Sequence, residues 1–132
     1  MLSRKSETEL FDKLPYPGAT PGAADLYLRR EIFVQDFAND LSPEVAARLW
    51  ASQRTASTEA FDTRSQHAAW KAIPSWYFIS SGDRIITPTS ELAMAKRAHS
   101  RITLFQGGSH LTLISRPDAV TEVIRAAIGA IH

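Results

Sequence analysis

Asp83 and His110 are the two residues in this sequence whose types and separation suit acid–base chemistry. They lie 27 residues apart. Asp83 ends a Ser81-Gly82-Asp83 turn, and His110 follows closely on Gly107-Gly108. A neutral imidazole near pH 7 can take a proton from a hydroxyl nucleophile. A carboxylate bonded to its other ring nitrogen fixes the tautomer and stabilises the imidazolium that forms. The two glycines would let the backbone turn sharply and present the imidazole to a cleft. Each residue also has a plainer use. Asp stabilises turns of this kind, and a His after Gly-Gly is often an exposed loop residue. Spacing alone leaves both readings open.

The surrounding segments decide whether the pair can meet. Ile73–Ser80 is a short aromatic and β-branched run, bounded by Pro74 and by the Ser81-Gly82-Asp83 turn, and reads as a buried strand. After Pro88 a helix is expected from about Thr89 to Ala98, then a strand over Arg101–Phe105 closed by Gly107-Gly108. Pro117 opens a last helix, in which Val120, Val123, Ile124, Ala127 and Ile128 form one apolar face. Strand, helix, strand, helix implies an α/β arrangement with parallel strands and right-handed crossovers. Functional groups in such sheets collect beyond the C-terminal strand ends, where Asp83 and His110 both fall.

Upstream, Pro15, Pro17, Gly18, Pro21 and Gly22 mark residues 1–22 as a loose lead-in. A helix is expected from Ala24 to Phe37, on the spacing of Leu26, Phe33 and Phe37. Ser42, Pro43 and Glu44 supply an N-cap, a first-turn proline and an acid for the helix dipole, so a second helix should run to about Ser52. A third, weakly patterned helix is expected around Thr58–Ala69.

Composition narrows the function classes. The 132 residues fit one domain, with 44% hydrophobic and 22% charged residues. There is no cysteine, which excludes disulfides, thiolate metal sites and a cysteine nucleophile. The net charge is +1 and the basic residues are scattered, so nucleic-acid binding is not expected. No apolar run is long enough for a bilayer span, and the charged N-terminus lacks the apolar stretch of a signal peptide. A cytoplasmic location is the default expectation. His67, His99 and His132 lack metal-ligand spacing, and Gly107-Gly108 is too short for a phosphate loop. Trp50, Trp70 and Trp76 read as packing residues rather than a base-stacking platform.

The stretch from Ile73 to Val120 resembles the closing segment of small bacterial α/β-hydrolases related to plant methylesterases and hydroxynitrile lyases. The matching residues are Ile73-Pro74-Ser75-Trp76-Tyr77, Gly82-Asp83-Arg84-Ile85-Ile86 with Pro88, and Met94-Ala95-Lys96-Arg97-Ala98. Ser109-His110 and Ser115-Arg116-Pro117-Asp118-Ala119-Val120 complete the series. Ala24–Ala69 resembles, more loosely, the family's helical lid. The resemblance implies a partial α/β-hydrolase: a lid-like region over 23–70, then the last two parallel strands and their helices over 71–132. It implies that Asp83 is the acid and His110 the base of a catalytic triad acting on a small ester-like substrate, with no cofactor and no metal. Family members also cleave carbon–carbon or carbon–halogen bonds, so the bond type stays open.

One triad member is missing from the pattern. None of the thirteen serines sits in the G-x-S-x-G elbow that would present a nucleophile. The His-Gly oxyanion-loop motif is also absent. The sequence is therefore expected to begin after the elbow, to expose a strand edge and an apolar face, and to be inactive alone. The alternative is a non-catalytic interaction module, which dimerises or complements a separate N-terminal polypeptide. A degenerate gene product is a third possibility.

Overall fold

The computed structural model describes residues 5–131; His132, named above, and Ser3, one of the thirteen serines, lie outside the described residues. Two small sheets organise the chain, one before residue 58 and one after residue 75.

The first sheet departs from the sequence expectation. A short helix, α1 (Glu7–Leu10), leads directly into β1 (Phe11–Leu14). β1 pairs antiparallel with β2 (Asp25–Leu28), and β2 pairs antiparallel with β3 (Ala56–Ser57). The Pro- and Gly-rich stretch is thus the connection of a strand pair, with Gly18 and Gly22 at φ +79° and +89°. The expected helix from Ala24 begins as a strand, because Leu26 and Leu28 obey a period of two as well as they obey helical spacing. Pairing with β1 decides between them, and Leu26 ends 3% exposed.

Helix resumes with α2 (Arg30–Ile32) and widens into a π-helical turn over Phe33–Phe37, closed by Ala38 N–H donating to Phe33 O at 2.8 Å. α3 (Pro43–Ala51) starts where the capping residues place it, with Ser42 Oγ accepting from Val45 N–H. Phe33, Ala38 and Ala46 form the buried centre of this layer, with Phe37, Leu41, Leu49 and Trp50 packed around them. Trp50 Nε1 donates to Leu28 O at 2.9 Å, tying α3 to β2. The expected third helix is two pieces, α4 (Thr58–Asp62) and a 3₁₀ turn at Ala69–Lys71. Trp70, read from sequence as a packing residue, is instead exposed on that turn, with Lys71 Nζ 5.6 Å from its ring centre.

From residue 76 onward the structure follows the sequence pattern. β4 (Trp76–Ser80), α5 (Pro88–Arg97) and β5 (Arg101–Phe105) form a strand–helix–strand unit. β4 and β5 are parallel, in a register that sets Trp76 opposite Arg101 and Ser80 opposite Phe105. A short helix α6 (Thr112–Ser115) and the long α7 (Pro117–Ala130) complete the chain. The predicted apolar face of α7 lies against Trp76 and Phe78 of β4. Much of that face is still open, for Ile124 and Ile128 remain more than half exposed. Among the described residues, β5 is the one strand hydrogen-bonded to β4.

Candidate functional site

The in-register end of the parallel pair, Ser80 opposite Phe105, starts the two loops that carry Asp83 and His110 at the same level. The loops are stitched together. Ser81 N–H donates to Phe105 O at 2.9 Å, Gly82 N–H to Gly107 O at 3.1 Å, and Gly107 N–H to Ser81 Oγ at 2.7 Å. Glycine is required at two places here. A Cβ on Gly82 would stand 2.2 Å from Gly108 O, and one on Gly108 would stand 2.3 Å from Thr112 Oγ1. Gly107 and Gly108 also hold φ values of +81° and +73°, which side-chain-bearing residues rarely adopt.

These loops bring Asp83 and His110 into contact, with Asp83 Oδ2 2.7 Å from His110 Nδ1. The other carboxyl oxygen, Oδ1, accepts from Ile85 N–H at 2.7 Å and Ile86 N–H at 3.0 Å. The turn-forming use of Asp83 and its use as a histidine partner therefore coexist, one on each oxygen. The Asp83 side chain is only 3% exposed while that of His110 is 30% exposed. A buried carboxylate with fixed donors holds one orientation, and the imidazole beside it keeps a face toward solvent.

His110 is also held from the first layer. The Phe37 ring lies 4.7 Å from the His110 ring, centre to centre, at a tilt of 41°. Leu111 packs into the cluster around Phe33, Ala38 and Ala46. Asp40 accepts a hydrogen bond from Ser115 and is bonded by Ser109, on either side of the His110 segment. Burial alone would push the Asp40 carboxyl up, but the Ser109 and Ser115 hydrogen bonds outweigh it and hold it below its ordinary value.

Glu91 was not among the sequence candidates. It sits in the first turn of α5, where an acid is expected merely as a complement to the helix dipole, yet it is 9% exposed. Burial pushes its carboxyl up to about 7; the Asp83 charge adds to the rise and His110 opposes it. Burial, then the Glu91 and Asp83 charges, likewise push the Tyr77 phenol up. A signal for Glu91 in the sequence would have been its place in the first turn of the helix that follows the Asp83 loop, but nothing in the pattern showed that it faces inward.

The serines nearest the pair are engaged elsewhere. Ser80 Oγ bonds Thr112 Oγ1 at 2.7 Å, Ser81 Oγ accepts from Gly107, Ser109 Oγ accepts from Leu111 N–H, and Ser115 donates to Asp40. Among the described residues no group of three or more His, Cys, Asp or Glu is placed to hold a metal ion. No helix among them is long and apolar enough to cross a membrane.

A parallel strand–helix–strand unit with a carboxylate beyond one strand and a bonded histidine beyond the next defines an α/β protein with a carboxylate–histidine pair beyond its strand ends. Residues 5–123 match the alpha/beta hydrolase family, and the chain belongs to that family. It is 30% identical over 92 residues to the alpha/beta hydrolase nvfD of Aspergillus novofumigatus (strain IBT 16806), a match taking in 69% of this chain and 37% of that protein. Its structure is similar to the crystal structure of polyneuridine aldehyde esterase, with a TM-score of 0.70 at 11% identity. That likeness covers 92% of this chain and 48% of the esterase chain, and at such identity it speaks for the fold alone. The chain spans less than half the length of either relative.

Proposed function

We propose that Asp83 and His110 are the acid and base of a Ser-His-Asp hydrolase centre acting on a small ester or related acyl compound. The 2.7 Å contact between Asp83 Oδ2 and His110 Nδ1 carries this reading. With the proton on Nδ1 held by Asp83, the Nε2 lone pair is free to act. A serine hydroxyl would give its proton to Nε2 as its oxygen attacks the acyl carbon. The imidazolium would then return that proton to the departing alcohol, leaving an acyl-enzyme. Water, deprotonated in the same way, would release the acid and regenerate the serine.

In this reading the nucleophile belongs to polypeptide beyond these residues, since no serine here has the elbow frame and the near ones are bonded elsewhere. The layer before residue 70 acts as a lid over His110, as the Phe37 contact suggests. The 132-residue chain should then neither turn over short-chain aryl esters nor be labelled on serine by a fluorophosphonate. Turnover lost in His110→Ala, with one serine labelled, would overturn the assignment of the nucleophile to another polypeptide.

A second reading is an interaction module, dimerising or complementing a separate N-terminal polypeptide. The open face of α7, with Ile124 and Ile128 more than half exposed, favours it. Sedimentation velocity distinguishes the cases: a monomer at all concentrations would remove self-association.

A further inference from the structure

A half-open pocket of about 230 Å³ has Asp83, His110 and Glu91 together in its wall. Glu91 is nine-tenths buried, and its Oε2 has no hydrogen-bond partner. A buried, unpartnered oxygen is costly, and far more so when it is charged. Every other ionisable group acting on Glu91 belongs to the same place. The loop after β4 contributes Asp83 and the loop after β5 contributes His110, and the Tyr77 phenol of β4 in turn feels the Glu91 charge. The parts of the wall from α6 and α7, namely Thr112, Leu113 and Val120, carry no charge.

We propose that Glu91 is a third ionisable member of the Asp83–His110 site, a positioning residue that carries its proton in the pocket beside the pair and, on losing it, sets a second negative charge near the His110 ring. The inference rests on the Asp83–His110 reading above. With Glu91 neutral, Asp83 is the sole anion opposite the imidazole, so the ring has one electrostatic partner and one orientation. With Glu91 ionised, two carboxylates act on the same imidazole. Asp83 is then destabilised as an anion by its new neighbour, and any imidazolium is stabilised.

The test is carboxyl ¹³C and imidazole ¹H–¹⁵N NMR of the labelled full chain between pH 4 and 9. The Glu91 carboxyl carbon should titrate with a midpoint near 7, and the Asp83 carboxyl carbon should show a step at the same pH. Glu91→Gln, a neutral isostere, should erase that step and leave the His110 Nδ1 proton signal in place. A Glu91 midpoint near 4.5 overturns the proposal, and so does a midpoint near 7 to which neither Asp83 nor His110 responds. The first two readings need no substitution, so they stand even where Glu91→Gln does not fold. The underlying reading fails by a different signal: absence of a low-field His110 Nδ1 proton at every pH, with the Glu91 midpoint unaffected.

Discussion

The main chains at Gly82 and Gly108 meet so closely that a Cβ on Gly82 would lie 2.2 Å from the Gly108 carbonyl oxygen. This contact joins the Asp83 loop to the His110 loop. The obstacle is backbone, so it cannot swing aside as a flexible side chain could. Gly82→Ala should lower stability by about 1–3 kcal/mol through overpacking, read as a reduced midpoint in urea unfolding. The same variant should weaken the His110 Nδ1 proton signal, because the two loops must part. An unchanged midpoint would show that the loops can separate freely.

Phe37 reaches His110 from the π-helical turn of the first layer. Phe37→Ala removes that packing and part of the cluster around Phe33. A loss of about 2–4 kcal/mol is expected, toward the lower end of large-to-small changes because Phe37 is not fully buried. Its informative consequence is local. The His110 ring should exchange between orientations, broadening its NMR signals, while β4 and β5 amides keep their shifts.

Glu91 gives the fold an unusual pH dependence. Unfolded, its carboxyl titrates near 4.5; folded, it is pushed up to about 7. Between those values the folded state holds the extra proton, so stability falls as pH rises through the window. The full penalty, on the order of 3 kcal/mol, is present above about pH 7 and absent below 4.5. Chemical denaturation at pH 5 and pH 8 should therefore show a loss toward pH 8 that Glu91→Gln largely removes. Equal pH slopes in the two proteins would sink this account.

Asp40 works in the opposite sense. Its folded carboxyl is held below the ordinary 3.8 by the Ser109 and Ser115 hydrogen bonds, against the effect of burial. Its contribution is present above the unfolded value and is lost as pH falls through the folded one. Asp40→Asn should cost about 1 kcal/mol at pH 6. The cost should shrink below pH 4, as the protonated wild-type carboxyl comes to resemble the amide. Thermal unfolding at pH 6 and pH 3 measures the difference.

Legibility from sequence differed between the two halves. Residues 76–130 carried short apolar runs, prolines at helix starts and glycines at strand ends, each a local signal. β5 and the start of α7 fall where those signals placed them, and β4 and β5 are parallel as the alternation implied. The first half misled because its order depends on distant partners. Leu26 and Leu28 suit either periodicity, and only pairing with residues 11–14 and 56–57 makes that segment a strand. The widened turn at Phe33–Phe37 has no sequence signature at all.

By itself, the sequence determined that Asp83 and His110 lie beyond successive parallel strands, because strand order and side-chain type are local properties. It also determined that no serine stands in an elbow frame. Tertiary structure alone decided that Asp83 divides its oxygens between its own turn and His110. It alone decided that Phe37 and Asp40 brace the histidine segment, and that Glu91 is buried beside the pair. Contacts and burial of that kind depend on which surfaces the packed chain brings together, and no window of neighbouring residues encodes them.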